Sequence, residues 1–257
     1  GQGLSGESAA GLPAELGGAL AVLRASADAM PASQVRRVLG REYGKGWEAR
    51  FRHFEWEPVA AASIGQVHAA VAADGRRLAL KIQYPGVARS IDSDVDNVAT
   101  LLRVAQLLPV DLDVSGLVAE AKRQLRQEAD YLVEAASLRR YGALVADEPG
   151  LLVPAAHEDL TTRRVLAMDF VDGEPIESLG DPGVPQARRD AAGAVLERLV
   201  FRELFEFRFV QTDPNFANYR IDPDSGRIAL LDFGATREID AGLADRYARI
   251  CRAILAG

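Results

Sequence analysis

The order of polar residues between positions 211 and 234 constrains this chain more than any other feature of its sequence. Asp213 stands five residues before Asn218, and Asp232-Phe233-Gly234 follows after two short apolar runs, Tyr219–Ile221 and 227–231. The segment between those runs, 222–226, is rich in turn-forming residues. The sequence therefore predicts a strand hairpin with one polar loop before it and another after it.

This order is typical of the catalytic loop, hairpin and Asp-Phe-Gly loop of protein kinases. Phosphoryl transfer needs such residues, because Mg²⁺ held by a carboxylate and an amide oxygen can neutralise the charge of phosphate oxygens. We predict that Asp232 and Asn218 hold the metal, and that Asp213 is catalytic and accepts a proton from the attacking hydroxyl or water. Either motif alone would be weak evidence, because Asp and Asn are common in turns.

Lys81 is a further candidate, at the end of Leu78-Ala79-Leu80-Lys81, which resembles the kinase strand whose lysine contacts nucleotide phosphates. Apolar neighbours predict a buried strand, so its ammonium group needs an acidic partner. The candidate partners are Glu128, Asp130 and Glu134, which lie towards the end of a predicted helix at 115–141. Asp130 and Glu134 would share a face, whereas Glu128 would lie about 120° from Glu134, so one lysine cannot readily use both glutamates. Which glutamate pairs with Lys81 stays open.

The remaining periodicities predict an α+β fold with two lobes. Helical spacing occurs at 13–23, 31–43, 92–108, 115–141 and 186–207. A small antiparallel sheet is predicted at 54–84, with a hairpin turn at Asp74-Gly75, and further strands at 151–154 and 164–171. We expect a helical extension at 1–53, a sheet lobe with inserted helices at 54–171, and a helical lobe at 172–257 that is truncated at its C-terminus.

Composition limits the class of protein. A chain of 257 residues that is 48% hydrophobic can build a substantial core. A net charge of −7 argues against a general nucleic-acid binder, which needs a positive surface. The longest apolar stretch, at 98–110, is interrupted by Arg103 and Gln106, so no membrane-spanning helix is predicted.

Taken together, these residues resemble the UbiB family of atypical kinases, and within it the aarF-domain-containing branch that supports coenzyme Q biosynthesis. The resemblance covers nearly the whole chain. Its most specific parts are five ordered motifs: Ala60-Ala61-Ala62-Ser63-Ile64-Gly65-Gln66-Val67-His68, Lys81-Ile82-Gln83-Tyr84-Pro85-Gly86-Val87, Glu128-Ala129-Asp130-Tyr131, Phe209-Val210-Gln211-Thr212-Asp213-Pro214-Asn215, and Leu231-Asp232-Phe233-Gly234-Ala235-Thr236-Arg237-Glu238.

The resemblance implies a two-lobed, protein-kinase-like fold that binds ATP or ADP with Mg²⁺. It implies an alanine-rich nucleotide loop at Ala60, Ala61, Ala62 and Ser63 in place of a glycine-rich one. It also implies a Glu-x-Asp motif at Glu128 and Asp130, a pairing of Glu134 with the strand lysine, and an adenine-contacting hinge that includes Met168, Asp169 and Val171. Of the family's N-terminal Lys-x-Gly-Gln motif only Gly1-Gln2 is present, so we expect a truncated version of that region.

Two functions follow as hypotheses. The first is an atypical kinase or ATPase that supports coenzyme Q or related isoprenoid-lipid metabolism, with polyprenylated lipids or quinone precursors and other coenzyme Q proteins as partners. The alternative is a nucleotide-gated lipid-binding module with little turnover. Peripheral membrane contact is expected at the matrix face of the mitochondrial inner membrane in a eukaryote, or at the cytoplasmic face of the membrane in a bacterium.

Overall fold

The structure, a computed structural model, describes residues 29–104 and 115–256. The predicted helix at 13–23 and the Gly1-Gln2 remnant lie outside these ranges. The helices are α1 (Ala32–Tyr43), α2 (Val87–Val104), α3 (Ser115–Glu128), α4 (Tyr131–Leu144), α5 (Gln186–Phe201) and α6 (Ala241–Ala256). The strands are β1 (Phe51–Phe54), β2 (Ala60–Ala62), β3 (Gly65–Ala72), β4 (Arg77–Gln83), β5 (Leu151–Leu152), β6 (Val165–Asp169), β7 (Glu174–Pro175), β8 (Phe209–Gln211), β9 (Tyr219–Ile221), β10 (Ile228–Leu230) and β11 (Thr236–Glu238).

The N-terminal lobe is built on an antiparallel sheet in the order β1-β3-β4-β6, with β2 paired to β3. The predicted hairpin turn between β3 and β4 is present, and Gly75 adopts a φ of 99° there, which a residue with a Cβ rarely does. Leu78, Leu80 and Ile82 of β4 pack with Val35 and Leu39 of α1. Strand β4 is therefore buried against α1, the helix that the 31–43 pattern predicts.

The prediction of a single helix at 115–141 is wrong, because this segment forms two helices. α3 ends at Glu128 and α4 begins at Tyr131, after the extended residue Asp130 (φ −113°, ψ 95°). The Asp130 carboxylate accepts a hydrogen bond from the Leu132 amide at 3.1 Å and so caps α4. The predicted sharing of one helix face by Asp130 and Glu134 is therefore also wrong. Another boundary differs: α2 begins at Val87 rather than at residue 92.

The C-terminal lobe combines small sheets with helices. Strands pair in the order β5-β10-β9-β7, where β5 runs parallel to β10, and β8 pairs with β11. The predicted 151–154 and 164–171 strands therefore join different sheets. The predicted β9–β10 hairpin is confirmed: Asp224 and Ser225 amides both donate to the Asp222 carboxylate, and Gly226 has a φ of 71°.

A continuous hydrophobic core ties β9 and β10 to α4 and α5, through residues that include Leu138, Tyr141, Leu199, Ile221 and Phe233. The predicted 186–207 helix is present as α5, which passes into a π-helical turn at Arg202–Phe207. No helix in the described part of the chain is both long and apolar enough to cross a bilayer.

Candidate functional site

Lys81 is the centre of a buried ionic cluster. Only 4% of the residue is exposed, and its Nζ donates to both oxygens of Glu134, at 2.8 and 3.1 Å, and to Asp232 Oδ2 at 3.1 Å. The structure thus selects Glu134, rather than Glu128, as the helix partner of the lysine. Burial of so many charged groups is tolerated only because they are mutually paired.

Electrostatics follow from this arrangement. Burial alone would lower the pKa of Lys81, but the carboxylates of Glu134 and Asp232 outweigh it and raise that pKa, so the ammonium form is fixed. Burial raises the pKa of Glu134 to about 7, with Lys81 acting in the opposite direction. For Asp232 the effect of burial is overcome by Lys81 and by the Gly234 amide, and its pKa is lowered. Asp232 therefore stays an anion at neutral pH.

Each member of the cluster is set in place by a different element. Lys81 lies on the central strand β4, Glu134 lies in the first turn of α4, and Asp232 follows β10. The Gly234 amide donates to Asp232 Oδ1 at 2.9 Å, and the Gln211 side chain donates to the Asp232 carbonyl. The Asp232 loop is thereby held at both its side chain and its main chain.

The loop from Asp213 to Asn218 forms the exposed half of the site. Asn215 accepts a hydrogen bond from the Ala217 amide at 3.0 Å and caps the turn Phe216–Asn218. The Asn218 carbonyl accepts from the Leu231 amide at 3.0 Å, which joins this loop to the residue before Asp232. Asp213 is exposed to solvent.

A cavity of about 770 Å³ is lined both by the buried Lys81 cluster and by the exposed loop from Asp213 to Asn218. Its size is that of an ordinary small-molecule site. Its lining includes nearly all the residues predicted from the sequence: Ala60, Ala61, Ala62, Ser63, Lys81, Glu128, Glu134, Met168, Asp169, Val171, Asp213, Asn218 and Asp232. Asp130 is the predicted residue that is not brought there; it caps α4 and lies 3.8 Å from Arg163 Nε.

The alanine-rich segment forms strand β2 rather than a loop, and it pairs antiparallel with β3, Ala60 opposite Val67. The turn after β2 leads into β3 at Gly65. This glycine lies so close to β4 that a Cβ there would stand 2.3 Å from the Ile82 carbonyl oxygen. The small residues therefore allow the hairpin to lie against β4 at the edge of the cavity.

At the predicted hinge, the carboxylate of Asp169 already has two hydrogen-bond partners. One oxygen lies 2.8 Å from His157 Nε2, and the other accepts from the Ala155 amide at 3.0 Å. A ligand in the cavity would thus meet the main chain of the hinge more readily than this side chain.

Sequence reasoning missed Arg220, which also lines the cavity. Its guanidinium donates to the Gly173 carbonyl at 2.6 Å, between the hinge and β9. Its only sequence signal is its position two residues after Asn218, and that position belongs to none of the motifs.

The donor set at the cavity suits a divalent cation. Asp232 contributes a carboxylate and Asn218 an amide oxygen, the hard oxygen ligands that Mg²⁺ prefers. In the described residues, no cluster of three or more His, Cys, Asp or Glu side chains could hold a metal by itself. A site of this kind fits Mg²⁺ brought with a phosphate ligand, because Mg²⁺ keeps waters and binds through few protein groups.

Comparison with known proteins decides the family. The model of the ABC1 atypical kinase-like domain matches residues 22–257. The chain belongs to this family. Among curated members, the rat protein "Atypical kinase COQ8B, mitochondrial" is 44% identical over 91% of this chain and 44% of its own length. The yeast protein "Atypical kinase COQ8, mitochondrial" is 38% identical over 97% of this chain and 50% of its own length.

A solved structure of similar shape is that of Rv3197 from Mycobacterium tuberculosis in complex with erythromycin. It has a TM-score of 0.71 and 33% identity over 89% of this chain and 57% of that one. The predicted UbiB-type family and protein-kinase-like fold are confirmed. This ABC1-family chain spans half or less of the length of the two curated relatives named above.

Proposed function

We propose that this chain is the nucleotide-binding core of an atypical kinase or ATPase that uses Mg-ATP and supports coenzyme Q or related isoprenoid-lipid metabolism. The observation that carries the proposal is the buried Lys81, which donates to both Glu134 and Asp232 at the wall of a cavity that also contains Asp213 and Asn218. A lysine held by an acidic helix residue beside an Asp-Phe-Gly loop is the arrangement that kinases use to hold nucleotide phosphates.

Each residue has a proposed role. Lys81 contacts the nucleotide phosphates, and Glu134 keeps its ammonium group in place. Asp213 orients the attacking hydroxyl or water and accepts its proton, because it is the exposed carboxylate of the loop. Asn218 and Asp232 hold Mg²⁺, which supplies neutralisation of phosphate charge. Main-chain groups at Met168, Asp169 and Val171 meet the base, while Ala60 to Ser63 cover the phosphates.

Names of relatives support the metabolic context. The rat and yeast relatives are called COQ8-type atypical kinases and mitochondrial. We therefore propose the matrix face of the mitochondrial inner membrane as the location in a eukaryote, with a cytoplasmic, membrane-associated location in a bacterium. Polyprenylated lipids or quinone precursors, and other coenzyme Q proteins, are the proposed partners.

Release of ADP from ATP by the purified chain, with Mg²⁺, tests the enzymatic proposal against the variant Asp232→Asn. We expect wild-type turnover at least tenfold above that of the variant, which lacks the metal carboxylate. Detergent and quinone-precursor phenols are added in parallel arms to detect an effect of an acceptor or of a membrane-like surface. Equal turnover in wild type and variant would sink the enzymatic proposal.

A thermal melt with nucleotide distinguishes the enzyme from the alternative, a nucleotide-gated binding module with little turnover. If ATP stabilises a wild-type chain that shows no turnover, a nucleotide-gated binding module is the better description. A peptide array that accepted phosphate robustly would instead indicate a conventional protein kinase.

A further inference from the structure

Glu203 is a buried carboxylate that none of the proposed roles uses. It lies in the π-helical turn Arg202–Phe207, and 7% of the residue is exposed. One of its oxygens, Oε1, accepts two hydrogen bonds, from the Tyr141 hydroxyl at 2.7 Å and from the Gln211 amide at 2.9 Å. π-Helical turns are rare and often occur at functional sites.

These bonds continue into the candidate active site. The Gln211 side chain accepts from the Tyr219 hydroxyl at 2.9 Å and donates to the main-chain carbonyl of Asp232. Tyr141 lies on α4, two helical turns after Glu134, and its ring packs on Phe233 with centroids 4.8 Å apart. Glu203 is thus the junction of a buried network that reaches α4, β8, β9 and the Asp232 loop.

Those elements are the ones that carry Glu134, Asp213, Asn218 and Asp232. β8 leads into Asp213 two residues after Gln211, and Asn218 comes directly before Tyr219. Glu203 itself is not among the described residues that line the cavity. Any effect on chemistry must therefore pass through the residues it holds.

We propose that Glu203 is a positioning residue, which fixes α4 against β8 and so sets Asp213 and Asp232 relative to the Lys81–Glu134 pair. This rests on the proposed phosphotransfer function. Packing alone would be served better by an apolar side chain, since burying a carboxylate is unfavourable unless its bonds are needed for a specific arrangement. The shared acceptor Oε1 provides such an arrangement, because moving α4 away from β8 would break one of its two bonds.

The test compares Glu203→Gln with Glu203→Leu in the Mg-ATP turnover assay. Glutamine keeps an acceptor oxygen at Oε1, and we expect its kcat within about threefold of wild type. Leucine removes the acceptor, and we expect kcat to fall at least tenfold while KM for ATP changes less than threefold, because Lys81 and the hinge remain. A fall in melting temperature with unchanged kcat per folded molecule would overturn the positioning role.

Tyr141→Phe tests the same network if the Glu203→Leu variant does not fold. It keeps the ring on Phe233 and removes only the hydroxyl donor, so we expect a smaller loss of kcat, about threefold to tenfold, without a change in KM. Unchanged kcat in this variant would count against the network.

Asp232→Asn is assayed beside these variants. If its turnover equals that of wild type, the proposed function fails and the positioning role fails with it. If wild type exceeds Asp232→Asn while Glu203→Leu keeps the wild-type kcat, only the positioning role fails.

Discussion

The two halves of the candidate site differ in how firmly the fold holds them. In the buried half, the side chains of Lys81 and Glu134 are 6% and 2% exposed and contact each other directly. In the other half, Asp213 is exposed and its loop is held through main-chain bonds at Asn218 and a side-chain cap at Asn215. The contrast predicts that removing a charge from the buried half lowers the stability of the fold, whereas removing one from the exposed half leaves it almost unchanged.

The largest expected effect comes from removing the charge at the centre of the buried half. Lys81→Met leaves Glu134 and Asp232 without their cation, and breaking a buried pair in this way costs about 3–5 kcal/mol of unfolding free energy. Denaturant unfolding without nucleotide measures it. The control is Lys122→Met, which removes an ion pair with the exposed Asp96 and should cost less than about 1 kcal/mol. Equal losses in the two variants would contradict the expectation that the buried charge of Lys81 is the costlier one to remove.

Asp213→Asn is the matching change in the exposed half. We expect turnover to fall about 100-fold, since a general base contributes at least that much. The unfolding free energy should change by less than about 0.5 kcal/mol, as for surface substitutions away from structural features. Asp224→Asn, in the exposed hairpin turn, is the control and should alter neither quantity. A large loss of stability in Asp213→Asn would contradict the assignment of this residue to chemistry.

Close main-chain packing beside the alanine strand gives a third comparison. Gly65→Ala places a methyl group against the Ile82 carbonyl of β4, and we expect a loss of about 1–3 kcal/mol from overpacking. Gly193→Ala makes the same chemical change in α5, where no heavy atom other than those of the adjacent helix backbone and chain neighbours lies within 4 Å of the added Cβ. That variant should gain about 0.5–1 kcal/mol from helix propensity. Opposite signs in denaturant unfolding confirm the close approach, and equal shifts would refute it.

The smallest effect concerns a buried histidine on β3. His68 Nδ1 lies 2.8 Å from the Glu55 carbonyl and Nε2 lies 2.7 Å from the Gln66 side-chain amide, which indicates a neutral ring with its proton on Nδ1. Burial lowers the pKa of His68 below its ordinary value of 6.5. The unfolded chain then binds a proton that the folded chain does not, so stability is present above pH 6.5 and is lost as pH falls through the folded pKa.

Melting curves between pH 7.5 and 5 measure this for wild type and His68→Gln. We expect the wild type to lose more stability than the variant over that range. A parallel decline in both proteins would show that His68 does not titrate as a buried group.

Much of the site could be predicted from the sequence, because several of its residues stand at characteristic distances from one another along the chain. Asp213, Asn218 and Asp232 stand in a fixed order around a hairpin, and Lys81 ends an apolar strand, so local sequence identifies them. The choice between Glu128 and Glu134 was not predictable from helical angles, because the helix breaks at Ala129-Asp130. The capping bond of Asp130 stabilises that break, and a periodicity argument assumes that no break occurs.

The remaining features could not be predicted, because they depend on contacts between residues that lie far apart in the sequence. β5 is two residues long and joins β10 in parallel, a contact that no local pattern encodes. Glu203 follows Arg202 and stands three residues before Glu206, and nothing in this local sequence indicates that it will meet Tyr141 and Gln211. Arg220 likewise belongs to none of the motifs, although it lines the cavity and donates to the Gly173 carbonyl.

Affinity for ATP with and without Mg²⁺, measured by calorimetry on wild type and Asp232→Asn, tests most directly whether the buried and exposed halves form one nucleotide and metal site. We predict that Mg²⁺ raises the affinity of the wild type at least tenfold, and that Asp232→Asn keeps the metal-free affinity but loses this increase. An equal increase in the variant, or no ATP binding by the folded wild type, would contradict a joint site.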